Sequence, residues 1–203
     1  MTISEPDRAR IATAIRTAEA RTTGEIVCVL AQTSSDVTAL SVFLSAVVAL
    51  VLPWVLVAST PLPIDQILMW QLAVFFGLAF LLFLPAVRVR LLPRKARRAA
   101  AHRAAMEQFT QHGIARTKDR SGILIFVSLA ERYARIVADE GIAARVPQPE
   151  WQAAIDSLLS HMKDGRIADG FTAAIGTCGE VLATHFPASE RNLDELPDRI
   201  YVI

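Results

Sequence analysis

The sequence predicts an α/β fold: an αβα sandwich with a small mixed sheet, interrupted by a transmembrane helical hairpin. Three observations predict it. Two long uncharged runs, Leu40–Ala58 and Ile67–Val87, stand close together. Two short β-rich runs without polar alternation, Glu25–Ala31 and Gly122–Ser128, lie on either side of that pair. Segments with helical apolar stripes occupy most of the remainder.

The chain has 203 residues, 53% of them apolar, and a net charge of +1 from 21 Lys+Arg against 20 Asp+Glu. Mean hydropathy is +0.37, greasier than an average soluble domain. The near-balance of charge argues against a nucleic-acid partner. Two cysteines allow at most one bridge and cannot build a Cys₄ zinc site. The four His residues are scattered without ligand spacing.

The uncharged runs hold 19 and 21 residues. As helices they extend about 28 and 32 Å, matching a hydrocarbon core of about 30 Å. Ser59–Gln66, with Pro61, Pro63 and Asp65, is a tight polar-edged turn, and Trp54 and Trp70 sit toward it. A soluble domain hides one helix that is apolar all round, hardly two adjacent ones. The late start of the first run, near residue 37, argues against a cleaved signal peptide. Arg88, Arg90, Arg94, Lys95, Arg97, Arg98 and Arg103 crowd 16 positions after the second run, whereas the turn has no Lys or Arg. The positive-inside rule then expects a multi-pass inner-membrane protein with both termini and the α/β domain cytoplasmic. The lipid bilayer is the first expected partner. The basic cluster is a topology signal that also attracts anionic headgroups, at about 1 kcal/mol per residue. The domain reading is therefore 1–36 plus 88–203 as one discontinuous domain, with 37–87 as the inserted hairpin.

Ser4-Glu5-Pro6-Asp7 is a helix start: a capping Ser, Pro in the first turn and acids near the positive end. Ile11, Ile15 and Ala18 continue it to about Ala20. Thr22-Thr23-Gly24 breaks it before the first strand, whose lack of alternation suits burial on both faces. Arg94–His112 reads as a helix with Ala101, Ala105, Met106 and Phe109 on one stripe. Gly113 ends it, with Ile114 packing back on Phe109. Gly122–Ser128 is the second strand, Leu129–Arg132 a turn, and Tyr133–Ala138 a third strand, antiparallel to the second. The first two strands, joined through a helix, are expected to be parallel with a right-handed crossover. Pro149–Lys163 and Ile167–His185 are amphipathic helices. The closing Ile200–Ile203 is a candidate edge strand.

Thr22–Leu30 (TTGEIVCVL) and Glu107–Ile142 (EQFTQHGIARTKDRSGILIFVSLAERYARIVADEGI) resemble the TPM domain family. The closing Glu195–Ile203 is similar to the ending of its uncharacterised bacterial integral-membrane branch. The family is named for thylakoid, photosystem-repair and receptor-accessory members. The resemblance implies a Rossmann-like αβα sandwich. It also implies either acid phosphatase activity, as described for a plant member, or an assembly, repair or accessory role. This chain departs from the family pattern after the third strand, where a Gly-Tyr-Gly-Leu-type turn is replaced by Asp139-Glu140-Gly141-Ile142. The following Arg145-Val146-Pro147-Gln148 lacks the usual Asp, and His112 replaces the aromatic before Gly-Ile.

Neither Cys28 nor Cys178 is followed by a basic loop at phosphatase spacing, and each lies within an apolar element, so both read as core residues. No Walker A, G-x-G-x-x-G or G-x-S-x-G sequence occurs. The best cluster lies at strand ends. Glu25 opens the first strand, Arg116–Ser121 leads into the second, Glu131 and Arg132 form the turn, and Asp139 and Glu140 close the third. Glu25, Asp139 and Glu140 form a candidate oxygen site for Ca²⁺ or Mg²⁺; pairing with Arg116 or Arg120 is the alternative, and a solvated ion-pair rim is the favoured reading of the cluster. The functional expectation is a non-enzymatic accessory or adaptor domain with other membrane or cytoplasmic proteins as partners. The alternative is a divalent-metal-assisted phosphatase.

Overall fold

The computed structural model describes residues 3–34, 38–84, 93–117, 120–188 and 195–203. The chain divides into two compact units, Met1–Ser34 with Arg98–Ile203, and Ser35–Arg97.

In the first unit, Ser4 caps α1 (Glu5–Glu19) by accepting from the Asp7 N–H, with Pro6 in the first turn. This is the start signal expected from the sequence. The strands are β1 (Glu25–Ala31), β2 (Gly122–Ser128), β3 (Tyr133–Ala138) and β4 (Ile200–Val202). Their order is β3-β2-β1-β4. β1 runs parallel to β2, Glu25 opposite Gly122 and Ala31 opposite Ser128. β4 is parallel to β1, and β3 is antiparallel to β2. The sheet is mixed, as expected, and the closing residues do form its second edge.

Every residue of β1 and β2 is buried, because the alternating side chains meet apolar layers on both faces. Ile26, Cys28, Leu30, Ile123, Ile125 and Val127 face α1, α6 (Gln152–Lys163) and α7 (Ile167–His185). Val27, Val29, Ala31, Leu124 and Phe126 face α4 (Arg94–Gln111) through Ala105 and Phe109. Trp151, Phe126 and Phe171 are the largest fully buried side chains. Each such burial contributes about 1.5–3 kcal/mol.

Gly113 adopts φ 68° after α4, the left-handed conformation that ends helices on glycine. Gly179 of α7 packs against Ala18 of α1, where an added Cβ would stand 2.8 Å from the Ala18 Cβ. Two elements differ from the sequence expectation. Asp139 does not merely close β3: it caps a one-turn helix, α5 (Glu140–Ala143). Pro149 begins no α-helix; Gln148–Trp151 forms a 3₁₀ turn leading into α6.

The second unit contains α2 (Thr38–Ser59) and α3 (Ile64–Phe83), two helices long and apolar enough to cross a membrane. They pack on each other through Ser41, Ser45 and Ala49 of α2 and Ile67 and Leu82 of α3, all buried. Small residues at i, i+4 and i+8 let helix backbones approach closely. Ser45 donates to the Ser41 carbonyl at 2.8 Å, satisfying its hydroxyl within the helix.

Candidate functional site at the sheet ends

Parallel pairing of β1 with β2 brings the predicted carboxylates to one end of the sheet. The Glu25 N–H bonds the Ser121 carbonyl, and the Asp139 N–H bonds the Gly122 carbonyl, each at 3.0 Å. Glu25 and Asp139 are 5% and 4% exposed. Their carboxylates are engaged separately. Glu25 accepts from the backbone N–H groups of Glu195 and Leu196 at 3.4 and 3.2 Å, tying the C-terminal segment to β1. Asp139 Oδ1 accepts from the Glu140 N–H at 2.7 Å, while its Oδ2 is buried without a hydrogen-bond partner. Glu140 is exposed and pairs with Arg120, one of the two pairings expected as an alternative. Arg116 is exposed, and Lys118 and Asp119 lie outside the described residues.

Among the described residues no three His, Cys, Asp or Glu side chains are grouped to hold a metal ion. Asp139 Oδ2 alone has the buried, unmatched character of a ligand oxygen. Glu25 already saturates backbone donors, and Glu140 faces a guanidinium. The donor set does not fit a shared hard cation.

The opposite end of the sheet holds a feature that the sequence reading missed. Glu131, 8% exposed, lies in the β2–β3 turn. It accepts from Thr33 Oγ1 and the Ser34 N–H, each at 3.2 Å, and from Ser128 Oγ. This carboxylate straps the chain leaving β1 to the end of β2. Beside it, a cleft of about 870 Å³ is lined by Gln32, Leu129, Arg132, Leu159, Met162 and Lys163, among others. Arg132 adopts φ 50° there, a left-handed conformation that strains any residue with a Cβ.

A second missed feature is Glu19. Its Oε1 accepts from the Ile26 N–H at 2.7 Å. Burial, with the neighbouring Asp198 carboxyl next, pushes its pKa up to about 9. Asp198 Oδ1 is buried without a partner, and a proton retained on Glu19 supplies the donor it lacks. Arg16 Nε holds the other Asp198 oxygen at 3.1 Å. The pair joins α1 to the C-terminal segment. That segment also stacks Tyr201 on His112, with ring centroids 3.9 Å apart, and places Arg199 4.7 Å from the Tyr201 ring. His112 thus makes a ring contact with the C-terminal segment.

Both cysteines are fully buried. Burial pushes the Cys28 thiol well up and Cys178 to about 12, so both stay protonated near neutral pH, as core residues. Of the basic cluster, Arg88 and Arg90 lie outside the described residues. Arg94, Lys95, Arg98 and Arg103 are exposed and Arg97 is half-buried.

The fold and these sites define an α/β-domain protein with an apolar helical hairpin inserted between the first two strands. Residues 87–181 match the TPM domain family model. No curated protein matches it. Among solved structures it is similar to the BA42 protein of the psychrophilic bacterium Bizionia argentinensis, determined by NMR. The TM-score is 0.64 at 21% identity, covering 100% of this chain and 97% of that one. That likeness concerns the fold alone.

Proposed function

We propose that this chain is a membrane-anchored TPM-domain accessory protein. In this reading 37–87 crosses the inner membrane twice, and 1–36 with 88–203 forms one cytoplasmic domain that docks membrane or cytoplasmic proteins. The observation that carries it is the apolar surface of α2 and α3: Phe43, Leu50, Trp54, Phe76 and Phe80 are 65–78% exposed. Water does not tolerate a contiguous apolar surface of that extent on a monomer, and lipid does. Arg94, Lys95, Arg97 and Arg98, with Arg88 and Arg90 before them, support a cytoplasmic domain. The separately engaged carboxylates favour docking over hydrolysis.

Membrane fractionation with an alkaline carbonate wash tests the anchor; release into the wash overturns it. Because Cys28 and Cys178 are buried, introduced cysteines report topology. Thr60→Cys should react with an impermeant maleimide from outside, and Gln111→Cys should not. The reverse pattern overturns the orientation. Repeated affinity capture from neutral detergent that yields no reproducible partner overturns the docking role.

A further inference from the structure

The strand β3 is an edge of the sheet, bonded on one side only. The bond from the Asp139 N–H to Gly122 fixes the alternation in this antiparallel pair. Tyr133, Arg135 and Val137 turn their backbone groups toward β2, and Ala134, Ile136 and Ala138 turn theirs outward. Among the described residues nothing bonds those outward groups. A cavity of about 450 Å³ runs beside this edge, lined by Ala134, Arg98, Arg132, Arg135, Gln148 and Gln152, among others, with no carboxylate in its lining. Among the described residues, none of the three arginines has an ion pair, and Arg135 Nε is buried without a partner.

The geometry points to β3 as a docking edge for an extended acidic segment of a partner protein, which adds a fifth strand and lays its carboxylates on Arg98, Arg132 and Arg135. This deepens the accessory reading and rests on it. Strand addition draws affinity from backbone hydrogen bonds and specificity from alternate side chains. Along β3, Arg135 shares the α4 side of the sheet with Tyr133, while Gln148 and Gln152 come from the α6 side. A segment with acids at every second position and small polar residues between them fits both sides. A second copy of this chain fits badly, because it brings another arginine-lined edge and supplies no carboxylate to Arg98, Arg132 and Arg135.

The test uses the full chain in neutral detergent and a fluorescein-labelled, capped hexapeptide alternating Glu and Thr. Anisotropy should show saturable binding. Hydrogen exchange should slow at the Ala134, Ile136 and Ala138 amides. A Lys/Thr peptide should not bind, and Arg98→Gln with Arg135→Gln should weaken binding about tenfold or more. Absence of saturable binding up to about 1 mM overturns the proposal. So does binding without protection of those amides, or equal binding of the Lys/Thr peptide. The wild-type exchange result decides if the double variant fails to fold. Failure of the peptide alongside reproducible partner capture removes this surface and leaves the accessory reading standing.

Discussion

Removing the Glu131 carboxylate should cost the α/β domain about 2–4 kcal/mol. Ser128 is fully buried, so Glu131→Ala leaves its hydroxyl without an acceptor, at about 1–3 kcal/mol. The half-buried Ser34 N–H adds about 1 kcal/mol. Thr33 is exposed, and its hydroxyl rehydrates at little cost. Denaturation in neutral detergent, followed through Trp151, measures the loss. The chain has three tryptophans, so Trp54→Phe and Trp70→Phe leave Trp151 as the sole reporter. With a urea slope near 2 kcal/mol per molar, the midpoint should fall by about 1–2 M. Ser128→Ala in the same chain should return part of the loss, because the stranded hydroxyl goes with it. A Glu131→Ala protein within about 0.5 kcal/mol of its parent, or no coupling with Ser128→Ala, would refute the strap.

Three further expectations follow from the same contacts. Glu19 keeps its proton to about 9 when folded against an ordinary 4.5, so the folded chain binds more protons than the unfolded one between those values. That contribution is fully present below about 4.5 and is lost as pH rises toward 9. The slope is at most about 1.4 kcal/mol per pH unit. Thermal melts across this window should flatten in Glu19→Gln, and an unchanged slope would remove Glu19 as the cause. Gly179→Ala should destabilise by about 1–2 kcal/mol: the methyl meets Ala18 of α1, and the overpacking exceeds the gain in helix propensity. A chemical-denaturation midpoint at or above the parent's would contradict this. Finally, a simple phosphomonoester with Mg²⁺ or Ca²⁺ should turn over no faster with the protein than without it. Metal-dependent hydrolysis that vanishes in Asp139→Ala, Glu140→Ala would restore the phosphatase alternative.

What was legible in the sequence is what local chemistry decides. EIVCVLA and GILIFVS have no polar alternation because both their faces are covered, and the pattern located each strand residue by residue. Ser4 and Gly113 mark helix ends through their own capping geometry. Other features depended on residues far apart in the chain. Glu19 and Asp198 are separated by nearly the whole chain. Glu131 looked like an ordinary turn residue because its donors Thr33 and Ser34 lie before the inserted hairpin. The stripe of Ser41, Ser45 and Ala49 gains its meaning only from the buried Ile67 and Leu82 of the helix packed against it. Arg98 counted toward a topology signal, and only the placement of α4 beside β3 brings it to Arg132 and Arg135. At the candidate carboxylate site, sequence placed Glu25 and Asp139 at the same sheet end, but burial and backbone donors decide what each oxygen does.

The seven-residue register between β1 and β2 also sets a parity. These neighbours are made before and after the inserted helices, so any crossings between them must come in even number; an odd count would leave the two halves of one sheet facing different compartments. Synthesis order adds a second constraint. β1 must wait, unpaired along both edges, until β2 and then β4 have been made.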